Sequence, residues 1–323
     1  WQVQLTYNPQ YTRSHSDANS LKLDPVGAYT LLDSLQSNKF TNRNIVQNGG
    51  AAVLFTKGVW RWLTTVAYQR TELKSEQSFP ATREFDHPFS DVLPSMTLSA
   101  TFANRRNVRL AWSTATSPPS ISQLQNVVDN SNPLSLSAGN PDLRQAYVNN
   151  FSLRLSEADP LKSKSKFVFM NLVRTGHPIS NATITAPRDS TVVDGIVLGR
   201  GTQFTRPVNL DVSWNANAFG VYSRPVKFLK SIASVNGGGS FNQTPTRLNA
   251  GTNVSKTYSL RYGAVLASNI SQNLDFTVSY QGNYNITRNS LSANNSGDYY
   301  SHTLGLRLNA VGRYGIVVRE EVS

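Results

Sequence analysis

The sequence predicts an all-β protein, an antiparallel transmembrane β-barrel, and three observations lead to this fold class. Apolar and polar residues alternate with a period of two along many segments. Most of these segments exceed the five or six residues usual for strands in globular proteins. The connections between them are alternately short and long, and helical periodicity sustained over three turns is absent. About thirteen strands are visible, and we expect them to belong to a larger barrel with an even number of strands.

The composition favours strands and excludes several functional classes. The 323 residues are rich in Ser, Asn and Thr, which compete with helical hydrogen bonds, and only 15% of them are charged. The absence of Cys excludes a disulfide scaffold, a thiol nucleophile and a Cys-ligated zinc. No secretion signal is recognisable at Trp1 and no apolar run reaches about 18 residues, so neither a signal peptide nor a transmembrane helix is predicted.

Each strand is predicted from apolar residues at every second position. Such pairs are Val3 and Leu5 in 1–13, Met96 and Leu98 in 89–103, Phe151 and Leu153 in 143–157, Val212 and Trp214 in 206–221, Tyr258 and Leu260 in 255–268, Phe276 and Val278 in 274–288, and Leu304 and Leu306 in 298–311. The remaining strands are predicted at 44–56, 59–71, 107–117, 165–175, 229–242 and 314–323.

The connections predict which kind of β protein this is. Short turns are expected at 57–58, 104–106, 157–164, 222–228, 269–273 and 312–313, and long loops at 14–43, 72–88, 118–142, 176–205 and 243–254, with 289–297 intermediate. Consecutive antiparallel strands place alternate connections at opposite ends, so one end carries tight turns and the other carries loops. Outer-membrane barrels have this asymmetry. A soluble β-sandwich is the alternative, but its strands are shorter.

The polar residues of the alternation predict a wide lumen. They are Ser, Thr, Asn, Gln, Asp and Arg, which would pack poorly as a core, so we expect them to face water or a plug while the apolar residues face lipid. Both ends of the chain fall within predicted strands. We therefore expect residues 1–323 to be a single outer-membrane barrel region that is incomplete at both ends and lacks a plug domain.

The most specific pattern lies between Phe89 and Leu155. A strand rises to Ser117-Pro118-Pro119, a loop containing QLQNVVDNSNPL follows, and Gly139-Asn140-Pro141-Asp142-Leu143 precedes the next strand. This arrangement resembles the TonB-dependent receptor barrels of Gram-negative bacteria, and its full form is similar to an outer-membrane β-barrel branch common in Bacteroidetes. The later stretches LDFTVSYQGNYNITRNS and YYSHTLGLRLNAVGRYG resemble the same branch.

The resemblance implies an outer-membrane transporter that binds a solute with its extracellular loops. Its expected partners are outer-membrane lipid and a TonB-type energy-coupling protein, the latter through an N-terminal region that residues 1–323 do not contain. The alternative is a non-transporting barrel that holds a surface lipoprotein or a secretion component. Substrate-binding residues are expected in loops 14–43, 118–142 and 176–205 and on the lumen face, without individual residues being singled out.

No catalytic, cofactor or metal site is predicted. The histidines, His15, His87, His177 and His302, lack zinc-binding spacing. The run NGGGSF at 236–241 lacks the Gly-Lys-Ser/Thr of a phosphate loop and is interpreted as a bend or a close backbone approach. Two acidic pairs, Glu84 with Asp86 and Asp189 with Asp194, could hold calcium but lack the spacing of an EF-hand. We therefore expect the chain not to be an enzyme.

The basic and aromatic residues also have positions that are typical of a membrane barrel. The net charge of +12 invites a nucleic-acid partner. The basic residues gather instead at the short turns, which suits lipid phosphates or plain solvation, so no nucleic-acid binding is expected: Arg105, Arg106, Lys162, Lys164, Lys166, Arg224, Lys227, Lys230 and Arg313. The following aromatics are interpreted as interfacial girdles, with ligand stacking in the lumen as the alternative: Trp60, Trp62, Trp112, Trp214, Tyr258, Tyr299 and Tyr300.

Overall fold

A computed structural model describes residues 1–19, 21–32, 37–79, 82–125, 128–129, 131–189, 191–193, 196–249, 251–268, 274–291, 296–311 and 317–322. Apart from three single 3₁₀ turns, the described residues form twenty strands and one short α-helix. In chain order these are β1 (Gln2–Ala18), β2 (Leu21–Leu23), β3 (Tyr29–Leu32), β4 (Asn38–Lys57), β5 (Trp60–Phe79), β6 (Arg83–Phe102), β7 (Arg106–Ser117), α1 (Ile121–Leu124), β8 (Ser135–Ser137), β9 (Ala146–Asp159), β10 (Lys164–Gly176), β11 (Ile179–Thr185), β12 (Thr191–Val193), β13 (Ile196–Leu198), β14 (Gln203–Asn209), β15 (Val212–Val226), β16 (Ser231–Leu248), β17 (Gly251–Ser268), β18 (Leu274–Asn289), β19 (Gly297–Val311) and β20 (Val317–Val322).

Thirteen of the strands form one continuous antiparallel path, which we call the wall. Its order is β1-β4-β5-β6-β7-β9-β10-β15-β16-β17-β18-β19-β20, so neighbours in space are the wall strands consecutive in sequence. Each of the thirteen segments predicted from the alternation contributes one of these strands. Among the described residues, β1 and β20 stand at the two ends of the path. The all-β antiparallel prediction is therefore confirmed.

The predicted strand 206–221 is in fact two strands. Its first part is β14, which leaves the wall and pairs with β11, and only from Val212 onward does it run in the wall as β15. The break is stabilised by backbone hydrogen bonds from Leu210 to Pro178 and from His177 to Asp211. The apolar alternation continues through both strands, which is why the sequence alone did not reveal the break.

Two of the predicted long loops, 72–88 and 243–254, are mostly strand. The β5–β6 ladder continues to the pair Gln77–Arg83, and the β16–β17 ladder continues to Leu248–Gly251. These extensions carry polar residues on both faces, including the ion pairs Lys74–Asp86 at 3.2 Å and Arg43–Glu76 at 3.1 Å. Because the face that points toward lipid within the membrane meets water beyond it, charged residues replace apolar ones on that face, although backbone pairing continues.

One face of the wall, here called the apolar face, carries large exposed hydrophobic side chains. Trp62, Leu98, Leu110, Leu153 and Met170 lie in one register row across five strands. Trp62, Leu110 and Met170 are exposed, and Leu98 and Leu153 are half-buried between them. Such a continuous apolar row would be unfavourable in water and is expected to lie against lipid. Among the described residues, no helix is long and apolar enough to cross a membrane.

Aromatic pairs flank this apolar face near both strand ends. Trp60 and Phe102 pack edge to face at 5.9 Å beside the short turns, whereas Trp112 stacks on Phe151 at 6.0 Å further along the strands. This is the girdle arrangement expected at membrane interfaces. Tyr299 departs from the prediction, because its register with Asn285 places it on the opposite, polar face.

Candidate functional site

The second face of the wall, here called the polar face, carries rows of short uncharged side chains. Ser152, Asn171, Asn217, Ser240 and Ser259 follow one another in register across β9, β10, β15, β16 and β17. The next row toward the long loops holds Asn150, Val173, Asn215, Asn242 and Thr257. Amides and hydroxyls both donate and accept hydrogen bonds, so the face can contact a polar solute over many strands.

Two of the predicted binding loops join into one small structure, here called the cap. It comprises the described residues of 118–145 and 177–211. Within it β8 pairs in parallel with β14, β14 pairs with β11, and β11 pairs in parallel with the end of β16 through Ala182–Arg247. Phe204 and Leu198, each 1% exposed, pack with Ala138 and Ala186 in its interior. The cap therefore has its own hydrophobic core.

The cap covers part of the polar face rather than extending away from it. Leu124 of α1 and Leu143 pack against Leu73 of β5 in a second buried cluster, and the Gln125 amide donates to the Ser75 hydroxyl at 3.4 Å. Leu73 and Ser75 lie on the same face of β5 as Arg61, because successive side chains of a strand alternate between its two faces. The polar face is thus the inner face of the wall.

The Gly139-Asn140-Pro141 motif joins the two parts of the cap. A Cβ atom on Gly139 would lie 2.8 Å from the Gln123 carbonyl oxygen and closer still to that of Gln125, so only glycine fits. The Asn140 amide donates to the Pro207 carbonyl at 3.0 Å, and the Asn140 backbone N–H donates to the Gln123 carbonyl at 2.6 Å. The sequence predicts only a turn at this motif. The structure shows that Gly139 is required because a side chain would not fit, and that Asn140 makes a hydrogen bond to a residue distant in sequence.

Asn209 makes the second connection within the cap. Its Nδ2 donates to the carbonyls of Arg144 and His177, both at 2.9 Å, and its Oδ1 accepts from the Arg144 backbone N–H at 2.8 Å. Nothing in the local sequence distinguishes this Asn from its many neighbours. It could not be identified before the two loops were seen together.

The remaining predicted loop forms a separate hairpin. Residues 19–37 contain β2 and β3, which pair only with each other among the described residues. The Asp24 carboxylate accepts hydrogen bonds from the Thr30 hydroxyl at 2.6 Å and from the backbone N–H groups of Ala28 and Val26 at 2.8 and 3.0 Å. These donors hold the pKa of Asp24 below its ordinary value, with the Thr30 hydroxyl the largest cause.

Charge on the inner face is strongly unbalanced. Arg61, Arg109, Arg154 and Arg261 are exposed on it, and none has an acidic partner within ion-pair distance in the described part of the chain. By register, the acidic residues placed on this face between β1 and β19 are Asp91 and Asp275. Asp91 accepts a hydrogen bond from the Gln145 amide. The sequence alternation places Arg154 and Arg261 on the polar face, but it did not show which arginines are neighbours.

The described acidic and histidine residues that the sequence offers as metal candidates form no metal site. Within the described ranges, no group of three or more His, Asp or Glu side chains could hold a metal ion. Asp86 pairs with Lys74, and Asp189 accepts from the Arg200 backbone N–H at 2.7 Å, while Asp194 lies outside the described residues. His87 packs between Phe85 and Phe89, and His302 beside Tyr280 and Tyr300.

The glycine run at 236–241 lies in β16. A Cβ atom on Gly238 would meet the Ala218 carbonyl oxygen at 2.6 Å, so this glycine is a close backbone approach, as the sequence suggested.

The basic residues at the short turns are only partly free. Arg106 pairs with Glu157 at 3.1 Å, Lys162 pairs with Asp159 at 3.6 Å, and Lys166 lies over the Tyr222 ring at 5.6 Å. Arg105 and Lys230 adopt the left-handed conformation that closes their turns. Arg313 lies outside the described residues. Contact with lipid phosphates at this end stays a prediction.

A concavity of about 700 Å³ lies on the apolar face. Ala216, Ala218 and Gly239 form a shallow floor there, between Met170 on one side and Leu260 on the other. A hollow of this chemistry, facing outward from the wall, suits lipid acyl chains.

A lipid-exposed apolar face, aromatic girdles, a polar inner face and structured loops at one end define an outer-membrane β-barrel. The chain belongs to the outer membrane protein beta-barrel family, whose model matches residues 2–313. This membership identifies the outer membrane as its location, with the long loops and the cap on the extracellular side.

Solved structures of receptors are similar to this chain at low identity. The siderophore receptor PirA from Acinetobacter baumannii matches with a TM-score of 0.46 and 13% identity over 98% of this chain and 55% of that one. The ferric enterobactin receptor PfeA, in complex with BCV-L6, matches with a TM-score of 0.46 and 11% identity over 96% of this chain and 53% of that one. The chain thus spans about half the length of both receptors. No curated protein matches the sequence.

Proposed function

We propose that this chain is the barrel of a TonB-dependent-receptor-like transporter, which binds a solute with its extracellular cap and takes it up across the outer membrane. The observation that supports this most is the position of the cap, which packs against the inner face through Leu124, Leu143 and Leu73. A solute bound at the cap would meet the Asn, Ser and Thr rows of the inner face next. Recognition and passage are thereby joined in one continuous polar surface.

In this proposal residues 1–323 are a single barrel region of a larger protein of the Bacteroidetes-type branch. The plug and the segment that contacts the TonB-type protein lie outside these residues. The chain itself performs no catalytic step.

Uptake can be tested before the solute is known. Cells producing the intact protein and cells lacking it would be grown in the same complex medium, and depletion of solutes from the medium measured by mass spectrometry. We expect at least one solute to be depleted only when the intact protein is present, and its depletion to cease when the TonB-type protein is deleted.

A medium composition that is the same with and without the protein would contradict uptake. If the protein then co-purified in fixed ratio with a surface lipoprotein, the scaffold alternative would replace the transporter. If a solute were still depleted by cells that produce the intact protein but lack the TonB-type protein, uptake would not need energy coupling, and the protein would be a passive channel.

A further inference from the structure

Six polar side chains form a compact grid on the inner face near the short turns. The register pairs Ser99 with Arg109 and Arg109 with Arg154 in one row, and Thr101 with Asn107 and Asn107 with Ser156 in the next. These six side chains line a concavity of about 260 Å³ together with two apolar residues. Each of the six can donate hydrogen bonds, and none is acidic.

Two arginines directly opposite each other are unfavourable unless an anion lies between them. Directly opposite residues of neighbouring antiparallel strands have Cβ atoms about 4.5–5.5 Å apart, and like charges at that spacing destabilise the pair. Asp91, the acidic residue of β6 on this face, is eight residues along the strand from Ser99, or about 27 Å at 3.4 Å per residue. The wall itself therefore supplies no nearby counter-charge for Arg109 and Arg154 among its described residues.

The Arg154 side chain is already oriented. Its guanidinium lies 5.4 Å from the centroid of the Phe167 ring, which is on the same face of the neighbouring strand β10. Such a contact holds the guanidinium while leaving the N–H donors in the guanidinium plane available. Arg61 extends the positive region by one more strand, because it pairs in register with Ser99.

We infer that Arg109 and Arg154, with the hydroxyls and the amide of this grid, form an oxyanion-binding site for a carboxylate or phosphate group of a small anionic solute. Arginine forks match the geometry of both groups, and the hydroxyls can fill the remaining acceptor positions. As an assignment of solute class, the inference rests on the uptake function proposed above. The site itself can be tested without any transport measurement.

The test is a calorimetric titration of the intact protein in detergent with inorganic phosphate, and in parallel with acetate, at constant ionic strength maintained by chloride. Arg109→Gln and Arg154→Gln are each expected to weaken phosphate binding about tenfold or more, since each removes a charge-assisted hydrogen-bond donor. Arg106→Gln is the matched control, because Arg106 lies on the opposite face of β7 and pairs with Glu157. The affinity of the Arg106→Gln variant for phosphate is expected to stay within about twofold of that of the unmodified protein.

A second measurement separates a ligand site from a structural role. In low-salt buffer without phosphate, Arg109→Gln and Arg154→Gln should raise the melting temperature, because each removes the like-charge neighbour of the other arginine.

Absence of phosphate and acetate binding to the unmodified protein would overturn the inference, as would unchanged binding in both variants. A lower melting temperature in both variants would also overturn it, since it would indicate that a carboxylate of the protein already occupies the grid. Uptake that persists in variants without anion binding would reject the assignment of this site to the transported solute, while leaving the transport function intact.

Discussion

At the scale of single residues, the determinants of the cap are small and uncharged. Gly139 is required because its neighbours leave no room for a Cβ atom, not because of its backbone conformation, since its φ lies outside the left-handed region. Asn140 and Asn209 hold chain segments together that are distant in sequence. The arrangement of the cap therefore depends on a few side chains of common chemistry that lie where chain segments distant in sequence meet.

Gly139→Ala is expected to loosen the cap. The added Cβ atom would overlap backbone carbonyl oxygens of Gln123 and Gln125, which costs about 1–3 kcal/mol. Hydrogen exchange of the cap amides, above all the Asn140 N–H, measures the effect. Gly297→Ala is the control, because no atom lies within 4 Å of the corresponding Cβ position. Equal exchange in the two variants would contradict this account of the motif.

Asn209→Asp should separate the two cap segments. The substitution keeps the size of the side chain but replaces the Nδ2 donor with a carboxylate oxygen facing the carbonyls of Arg144 and His177. We expect a loss of about 1–3 kcal/mol in cap stability, seen as faster proteolysis of residues 177–211 in intact cells. Asn8→Asp, at an exposed strand position, should leave the proteolysis rate unchanged.

At the scale of elements, the wall strands continue well past the apolar face. β4, β5 and β6 each have 20 residues, about twice the 9–11 residues that a tilted strand needs to cross a bilayer. Near the long loops these strands are joined by ion pairs, Arg43–Glu76 between β4 and β5 at 3.1 Å and Lys74–Asp86 between β5 and β6 at 3.2 Å. Long paired ribbons, rather than irregular loops, thus support this side of the extracellular surface.

The β2–β3 hairpin should respond to acid through Asp24. Because its pKa is lowered in the folded hairpin, the carboxylate stabilises the turn above the ordinary Asp value of about 3.9, and this stabilisation is lost as pH falls through the lower folded value. Exchange protection of the Val26 and Ala28 amides should therefore decrease in that range. In Asp24→Asn the same amides should show no such decrease, and a persisting decrease would assign the effect to another group.

At the scale of the whole molecule, one sheet separates two environments. Its outer face meets lipid with large exposed hydrophobic side chains, whereas its inner face is polar and carries a cap with a separate hydrophobic core. The buried apolar residues of the described wall strands are Ala52, Ala67, Leu73, Ala100 and Ala146, of which only Leu73, beneath the cap, is large. Stability across the membrane thus comes from the strand ladder and from lipid contact rather than from a packed interior.

Adjacent positions of β19 should tolerate charge very differently. Leu304, 64% exposed on the apolar face, would place an arginine in lipid, and Leu304→Arg should cost about 2–4 kcal/mol of folding free energy. Thr303→Arg is the matched control, because Thr303 lies on the inner face directly opposite Gln281 of β18. Urea titration of the protein folded into lipid vesicles measures both. Similar losses in the two variants would contradict the assignment of faces.

The sequence by itself determined the class of the fold and the two faces of each wall strand. Period-two alternation records which side of a strand meets lipid, so Leu304 and Thr303 could be assigned from neighbouring letters alone. The tertiary structure decided everything that depends on which strands and loops meet. The pairing of Arg109 with Arg154, the departure of β14 from the wall and the hydrogen bonds of Asn140 and Asn209 join residues distant in sequence. Register and loop packing arise from contacts between segments, and a pattern within one segment does not predict those contacts.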